Sequence, residues 1–362
     1  MLAGPQQRPN RVIPVPKKPL KIRQPATLAD VAALANVDPS TVSRVLRDDA
    51  GHRVGVLTRE KVHKAAAQLA YRPNEHARGL RLSRSQALGF VVPQLDNPVF
   101  SDSVLAAERA ARERGYSLLL MHVSADQADA NVYRNFAESH RIDGLLVAAQ
   151  ETDTQLVDEL RQVRIPTIVL NRRVAGIRSF VALESESAAR IATEHLLQLG
   201  HRRIAHLAGN PAGFNGKQRL AGFRAAMKSA AIPVERRWLQ EAGYTFTGGA
   251  QMMQRILDQP PPWPTAVFAA TLLSAAGAMS VLHRNAILIP DEMSVISLHD
   301  GRIAEMVYPA LTTVRLPVAE MGRQAVDGLI DILEGKCTSI SAMLAPETLI
   351  LRASTAKPPA TI

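Results

Sequence analysis

The chain has 362 residues, 46% of them apolar and 21% charged, which is enough for roughly two or three domains with sizeable cores and excludes a chain disordered throughout. Its single cysteine, Cys337, excludes an intramolecular disulfide and fits a reducing compartment. The net charge of +10 is unevenly placed: residues 1–26 hold six basic and no acidic side chains, residues 27–86 hold ten against six, and the rest cancels at 27 each, the footprint of a nucleic-acid-binding head on a neutral body.

The first segment, 1–26, carries Pro5, Pro9, Pro14, Pro16 and Pro19 among its bases. It has no apolar period and lacks the apolar core of a secretion signal, so it reads as a flexible basic arm. Contact with DNA phosphates and a start-site extension without a role both remain open for it. No run of about 18 apolar residues follows anywhere, so no membrane partner is expected and the protein is read as cytoplasmic.

Residues 27–46, TLADVAALANVDPSTVSRVL, carry two helical patterns around a tight turn. Thr27 is placed to cap the first helix, with Asp30 three residues on to return the hydrogen bond. Leu28, Val31, Ala32 and Ala35 form one face, and Pro39 suits the first position of the second helix. There Val42, Val45 and Leu46 are the buried stripe, leaving Pro39, Ser40, Ser43, Arg44 and Arg47 outward. A small, polar, cationic helix face fits a DNA major groove. Patterning alone leaves a plain helical pair in a core equally open.

Thr58 is predicted to cap a third helix with Val62, Ala65, Ala66 and Leu69 inward, ending at Tyr71-Arg72-Pro73. Asn74 can cap a short segment, 75–82, in which Gly79 lowers helix stability by about 1 kcal/mol relative to alanine. A segment that short is marginal alone, and folding on binding follows naturally. From Ala87 onward, apolar runs alternate with amphipathic stretches. ALGFVVP (87–93), YSLLLMHV (116–123), GLLVAA (144–149), PTIVL (166–170), RIAHLAG (203–209), TAVFAA (265–270) and MSVISL (293–298) are the predicted strands. The expected fold is a small all-α helix-turn-helix head plus an α/β bilobed body of two doubly wound parallel sheets, with a ligand cleft at the strand ends. The expected divisions are an arm at 1–26, a DNA-binding domain at 27–72, a hinge at 73–86, a body at 87–355 and a flexible tail at 356–362.

The ordered blocks T-L-A-D-V-A-x-x-A-x-V (27–37), S-T-V-S-R-V-L (40–46), T-R-E-K-V (58–62), Y-R-P-N (71–74), L-G-H-R-R-I-A-H-L-A-G (199–209), R-L-A-G-F (219–223), I-P-D-E-M-S-V (289–295) and P-A-L-T-T-V (309–314) resemble the LacI-type (lactose repressor) family of bacterial transcription regulators. The resemblance implies a homodimeric repressor that reads a palindromic operator in double-stranded DNA, with a type I periplasmic-binding-protein-like body that binds a small effector. By position it implies Pro39, Ser40 and Arg44 against bases, and Thr41, Ser43, Tyr71 and Asn74 against phosphates. Leu80 is implied as a wedge between central base pairs, although a linker residue tucked against the body is the plainer alternative. Thr27, Ala77, Arg78 and Arg81 complete the implied DNA-contacting set.

For the effector the resemblance implies Phe100, Asn171, Arg219, Thr271 and His299. Two departures stand out. The family commonly has Asn-Asp where this chain has Thr271-Leu272, and a ligand-binding Asp where it has His299 followed by Asp300. Losing carboxylates while keeping Arg219 favours an anionic effector such as a sugar acid over a neutral sugar; a regulator that has lost its effector is the alternative. No cofactor and no enzymatic activity are expected, since no nucleophile elbow, phosphate loop or metal-ligand spacing is present. His195, His201 and His206 read as capping or core residues. A transport solute-binding protein would share the body but not the basic helical head, and sequence-independent architectural binding would not need the cleft. No heptad follows Ser354, which favours a dimer over a tetramer.

Overall fold

A computed structural model describes residues 26–46, 54–71, 84–95, 97–123, 131–148 and 155–360. It forms two compact units divided between Arg78 and Gly79.

The first unit is the head, with helices α1 (Leu28–Ala35), α2 (Pro39–Leu46) and α3 (Val56–Gln68). Thr27 caps α1 in the predicted reciprocal way: its Oγ1 accepts from the Asp30 N–H, and the Asp30 carboxylate accepts from the Thr27 N–H at 2.7 Å. Asn36 ends the helix in left-handed backbone, φ +52°, a conformation that asparagine tolerates. Asp38 then accepts from the Ser40 N–H at 2.7 Å, leaving Pro39 at the first helical position, where a missing N–H costs nothing. The third helix begins ahead of the predicted cap. Gly55 starts it, and the Gly55 carbonyl takes the Thr58 and Arg59 N–H groups, so Thr58 lies inside the first turn. Val31, Ala32, Ala35, Val42, Val45, Val62, Ala65 and Ala66 form the core, rimmed by half-buried Leu28, Leu46, Leu69 and Tyr71.

The second unit is the body, two sheets of one design. Lobe 1 holds β1 (Ala87–Val92), α4 (Pro98–Glu113), β2 (Ser117–His122), α5 (Val132–Ala137), β3 (Gly144–Val147), α6 (Gln155–Gln162), β4 (Thr167–Leu170) and β5 (Phe180–Leu183). After α7 (Ser185–Gln198), lobe 2 adds β6 (Ile204–Ala208), α8 (Phe214–Ser229), β7 (Leu239–Glu241), α9 (Phe246–Leu257), β8 (Ala266–Ala269), α10 (Leu272–Arg284), β9 (Ser294–Leu298), α11 (Arg302–Met306) and β10 (Thr312–Arg315). The chain closes with α12 (Val318–Leu333), β11 (Ser341–Leu344) and β12 (Thr348–Ile350).

Strand order is β11-β5-β4-β3-β1-β2 in one sheet and β12-β10-β9-β8-β6-β7 in the other, the same sequence of steps twice. Pairing is parallel throughout except that β12 runs antiparallel to β10. All seven predicted strands are present, as β1 to β4, β6, β8 and β9. The two elements that cover a sheet from the other side of the cleft follow from topology. Helix α7 packs on α8 and the strands of lobe 2, whereas α12 packs on α4 and β3 to β5, so the chain passes between lobes after β5, after β10 and after β11. A continuous core, including Phe90, Leu146, Leu183, Leu196, Phe223, Phe268 and Leu329, links the inner faces of both sheets.

The chain end departs from the expected flexible tail. Ser354 is fully buried and exchanges hydrogen bonds with Val295, and Ala356 donates its N–H to Ser294 Oγ at 3.0 Å while its carbonyl accepts from His201 Nε2 at 2.9 Å. Backbone pairing beside β9 holds this segment, a constraint that polar composition does not reveal.

Candidate functional site

In parallel α/β sheets, ligands gather at the carboxyl ends of the strands. A cavity of about 500 Å³ lies there, lined from both lobes. All five residues expected around an effector meet in it: Phe100 from α4, Asn171 after β4, Arg219 from α8, Thr271 after β8 and His299 after β9. The strands β4 and β9 hold the same place in their sheets, and the residue following each is in left-handed backbone, with φ +59° at Asn171 and φ +67° at His299. Such turns are uncommon for side-chain-bearing residues, and they cluster where a fold aims a side chain.

Arg219 is only 2% exposed. Its Nη1 donates to the Ala270 carbonyl at 2.8 Å, its Nη2 reaches His299 Nε2 at 3.0 Å, and its guanidinium lies 5.6 Å from the Tyr244 ring centre. Burial, reinforced by the Arg219 charge, holds the His299 imidazole well below its ordinary pKa. Thr271 caps α10 in a reciprocal bond with Ser274. Its hydroxyl therefore serves the helix at the cavity wall. Asn215 bridges the lobes, donating from Nδ2 to the Asn171 carbonyl at 2.7 Å while its Oδ1 accepts from Ser185.

The structure adds residues that sequence reading missed: Asn97, Arg172, Asn215, Glu241 and Tyr244 also line the cavity. Arg172 had a usable signal, since it directly follows Asn171 at a strand end. Glu241 ends the very short β7 and Tyr244 follows it, which left none. Asp300 faces elsewhere. Its carboxylate accepts from Thr313 Oγ1 at 2.8 Å and pairs with Arg315 at 2.7 Å and Arg352 at 2.8 Å. Burial raises the Asp300 pKa, but the bonds from Arg315, Thr313 and Arg352 outweigh it and hold the carboxyl below its usual value. Arg172 and Arg219, both buried, thus share a lining in which the carboxylate among the described residues, Glu241, is exposed.

The three neighbouring histidines are separate. His195 bonds Thr355, and His201 is buried between Thr265, Ser294 and Ala356. His206 stacks on Phe268, with ring centres 4.5 Å apart, and burial pushes its pKa down to about 4. On the head, Pro39, Ser40 and Arg44 are exposed on α2, Thr41 and Ser43 are half-buried beside them, Thr27 is exposed at the start of α1, and Tyr71 packs at the core rim. Asn74, Ala77, Arg78, Leu80 and Arg81 lie outside the described residues. Where the body begins, the Asp143 carboxylate accepts the Ser85 and Gln86 N–H groups at 2.6 and 2.8 Å, a clamp that the sequence did not announce.

Residues 27–74 match the domain described as bacterial regulatory proteins, lacI family, and residues 193–355 match a periplasmic binding protein-like domain. The ribose operon repressor of Escherichia coli (strain K12) is 33% identical over 84% of this chain and 92% of its own. The chain belongs to the LacI family. The HTH-type transcriptional repressor PurR of Vibrio parahaemolyticus is 32% identical over 86% of this chain and 93% of its own. A crystal structure of the Lac repressor dimer bound to operator and the anti-inducer ONPF superposes with a TM-score of 0.81 at 27% identity, covering 92% of this chain and all of the other. This LacI-family member is accordingly a DNA-binding transcriptional regulator built from a helix-turn-helix head and a bilobed body. Among the described residues, no helix is long and apolar enough to cross a membrane.

Proposed function

We propose that the chain is a non-catalytic cytoplasmic repressor that binds a palindromic operator as a homodimer and is modulated by an anionic small molecule, a sugar acid or related carboxylate, in the cavity between its lobes. For DNA, the exposed face of α2 supplies Pro39, Ser40 and Arg44 to bases and Thr41 and Ser43 to phosphates, Tyr71 and Asn74 add phosphate contacts, and Thr27 joins the contacting set. Ala77, Arg78, Leu80 and Arg81 complete the set, with Leu80 as the minor-groove wedge. The Lac repressor match, a dimer on its operator, supports that arrangement. For the effector, Phe100, Asn171, Arg219, Thr271 and His299 form the wall. The observation that carries the anionic reading is the buried Arg219 guanidinium, which reaches His299 in a cavity that Arg172 also lines.

Regulation then requires only that the effector bind one lobe arrangement better than another. Two measurements test this. Fluorescence anisotropy on palindromes enriched from a random pool is expected to show specific binding that weakens, and loses its central-step preference, in Leu80→Ala. Calorimetry against neutral sugars and sugar acids is expected to favour the acids, and tight binding of a neutral hexose sinks the anionic reading. Binding that is wholly salt-dependent and sequence-blind defeats the operator reading.

A further inference from the structure

Lobe 1 has a second cavity, at the end of its sheet opposite the cavity between the lobes. Thr167 begins β4, Ser179 comes just before β5, and Thr338 and Ser339 come shortly before β11. These three strands are neighbours, so the residues meet at the strand starts, around a hollow of about 350 Å³. That volume is at the small end of what metabolite sites use. Its floor is apolar: Leu160 of α6 is 4% exposed, and Val163, Ile165 and Ile177 pack against the same cluster.

The rim carries donors, Arg161 and Arg178 beside the three hydroxyl residues 179, 338 and 339, and no acidic side chain among the described residues lines it. Backbone geometry places one arginine. The turn from Val174 to Ile177 is closed by the Ile177 N–H on the Val174 carbonyl at 3.1 Å and has Gly176 at φ +86°. A Cβ at Gly176 would stand 3.2 Å from Arg161 Nη2, so glycine both makes the turn and lets the guanidinium lie over it. These donors are largely unspent. Arg161 reaches Asp158 at 3.5 Å, an exposed pair of little strength, and Arg178 forms no ion pair or hydrogen bond with any described residue. Ser179 is 8% exposed, yet its hydroxyl has no hydrogen-bond partner among the described residues, whereas a buried hydroxyl ordinarily has one.

We propose that this hollow is a second ligand site, for a small organic phosphate monoester. Guanidinium forks match pairs of phosphate oxygens, and a hydroxyl donates to the oxygen left over. Arg161, Arg178 and Ser179 hold the phosphate, and Leu160, Ile165 and Ile177 cover the apolar part of its ester. Two guanidinium groups also match the charge of about −1.5 to −2 that a phosphate monoester carries near pH 7, which a carboxylate does not reach. The inference is independent of the effector reading above, since the two cavities share no lining residue.

The test uses the full chain with labelled isoleucine δ1 methyl groups, Ile165 and Ile177 being assigned from the signals lost in Ile165→Val and Ile177→Val. Phenyl phosphate, inorganic phosphate and benzoate are titrated at fixed ionic strength. Phenyl phosphate is expected to shift both methyl signals, to bind more tightly than inorganic phosphate because of the apolar floor, and to bind about tenfold more tightly than benzoate. Arg178 is exposed, so Arg178→Ala keeps the fold, and it is expected to weaken phenyl phosphate about tenfold, with a smaller loss in Ser179→Ala. No shift at either methyl with millimolar phenyl phosphate, shifts confined to other isoleucines, or a titration indifferent to Arg178→Ala overturns the site. Benzoate binding as tightly as phenyl phosphate overturns the choice of a phosphate.

Discussion

Head and body carry their chemistry on opposite sides of their surfaces. Among the described residues of the head, no polar or charged side chain is buried, and its core is small aliphatics throughout. Its candidate contacts stand outside, on α2. The body does the reverse: Arg172, Arg219, His201, His206 and His299 are all buried. A head residue can therefore be changed for binding at little cost to folding, whereas in the body each candidate site residue is also part of what holds a lobe together.

The largest effect that this contrast predicts is at Asp300. Removing the carboxylate in Asp300→Ala leaves Arg352, whose side chain is 13% exposed, without its buried counter-charge, a loss of about 3–5 kcal/mol. Both tryptophans, Trp238 and Trp263, are in lobe 2, so the urea midpoint followed by tryptophan fluorescence reads the affected lobe directly. A midpoint within error of wild type breaks the contrast at its strongest point.

Acid should separate the two units next. His206 is pushed down to about 4 by burial, with a backbone bond from its Nδ1 to Phe268 as the opposing influence. Because the folded state refuses a proton that the unfolded chain accepts, stability is full above about pH 6.5, falls as pH drops toward 4, and changes no further below that for this group. The size is on the order of 3 kcal/mol. Burial lowers His201 and His299 as well, and adds to the same slope. The tryptophan-detected midpoint is expected to fall across that window and to fall less in His206→Phe; an unchanged slope in the variant shows that His206 does not titrate this way.

The same contrast explains what could be read in advance. Outward chemistry on a helix has a period, so Val42 and Val45 inward with Ser40 and Arg44 outward needed only counting. The cap at Thr27 was equally local. Strands β1, β3 and β9 were visible as apolar runs, but β10 (TTVR) and β11 (SAML) are short or edge segments whose residues look like loop. Arg219 and His299 are 80 residues apart, and no local pattern joins them; only family likeness placed both in one cavity. That likeness could not say that Asp300 turns away, since the answer lies in Arg315 and Arg352, the latter far along the chain. Thr58 misled because a hydroxyl is a cue to a helix start, while at Gly55 the backbone carbonyl alone suffices.

On the outer side of the comparison, Arg44→Ala is expected to weaken specific operator binding by about 1–3 kcal/mol, roughly five- to 150-fold. Its effect on folding should stay within about 0.5 kcal/mol. Anisotropy on the enriched palindrome, beside melting of the same preparation, checks both halves. Loss of binding accompanied by loss of the fold would place Arg44 among the structural residues.

The smallest effect concerns a polar device that the head uses for folding. Thr27 and Asp30 each satisfy an N–H that the first turn of α1 leaves open, and Thr27→Ala should cost about 1 kcal/mol. In a body with a deep core that loss is minor. The head, however, has a core of eight small side chains, close to the lower limit for a unit that folds alone, so the same loss takes a larger share of its stability. The outcome expected is a lowered melting transition for α1 to α3, followed by backbone amide exchange, with the tryptophan-detected transition of lobe 2 unmoved. Thr27→Ser keeps the accepting oxygen and should restore the head. Failure of serine to do so means that the methyl group of Thr27, not its cap, is what the head needs.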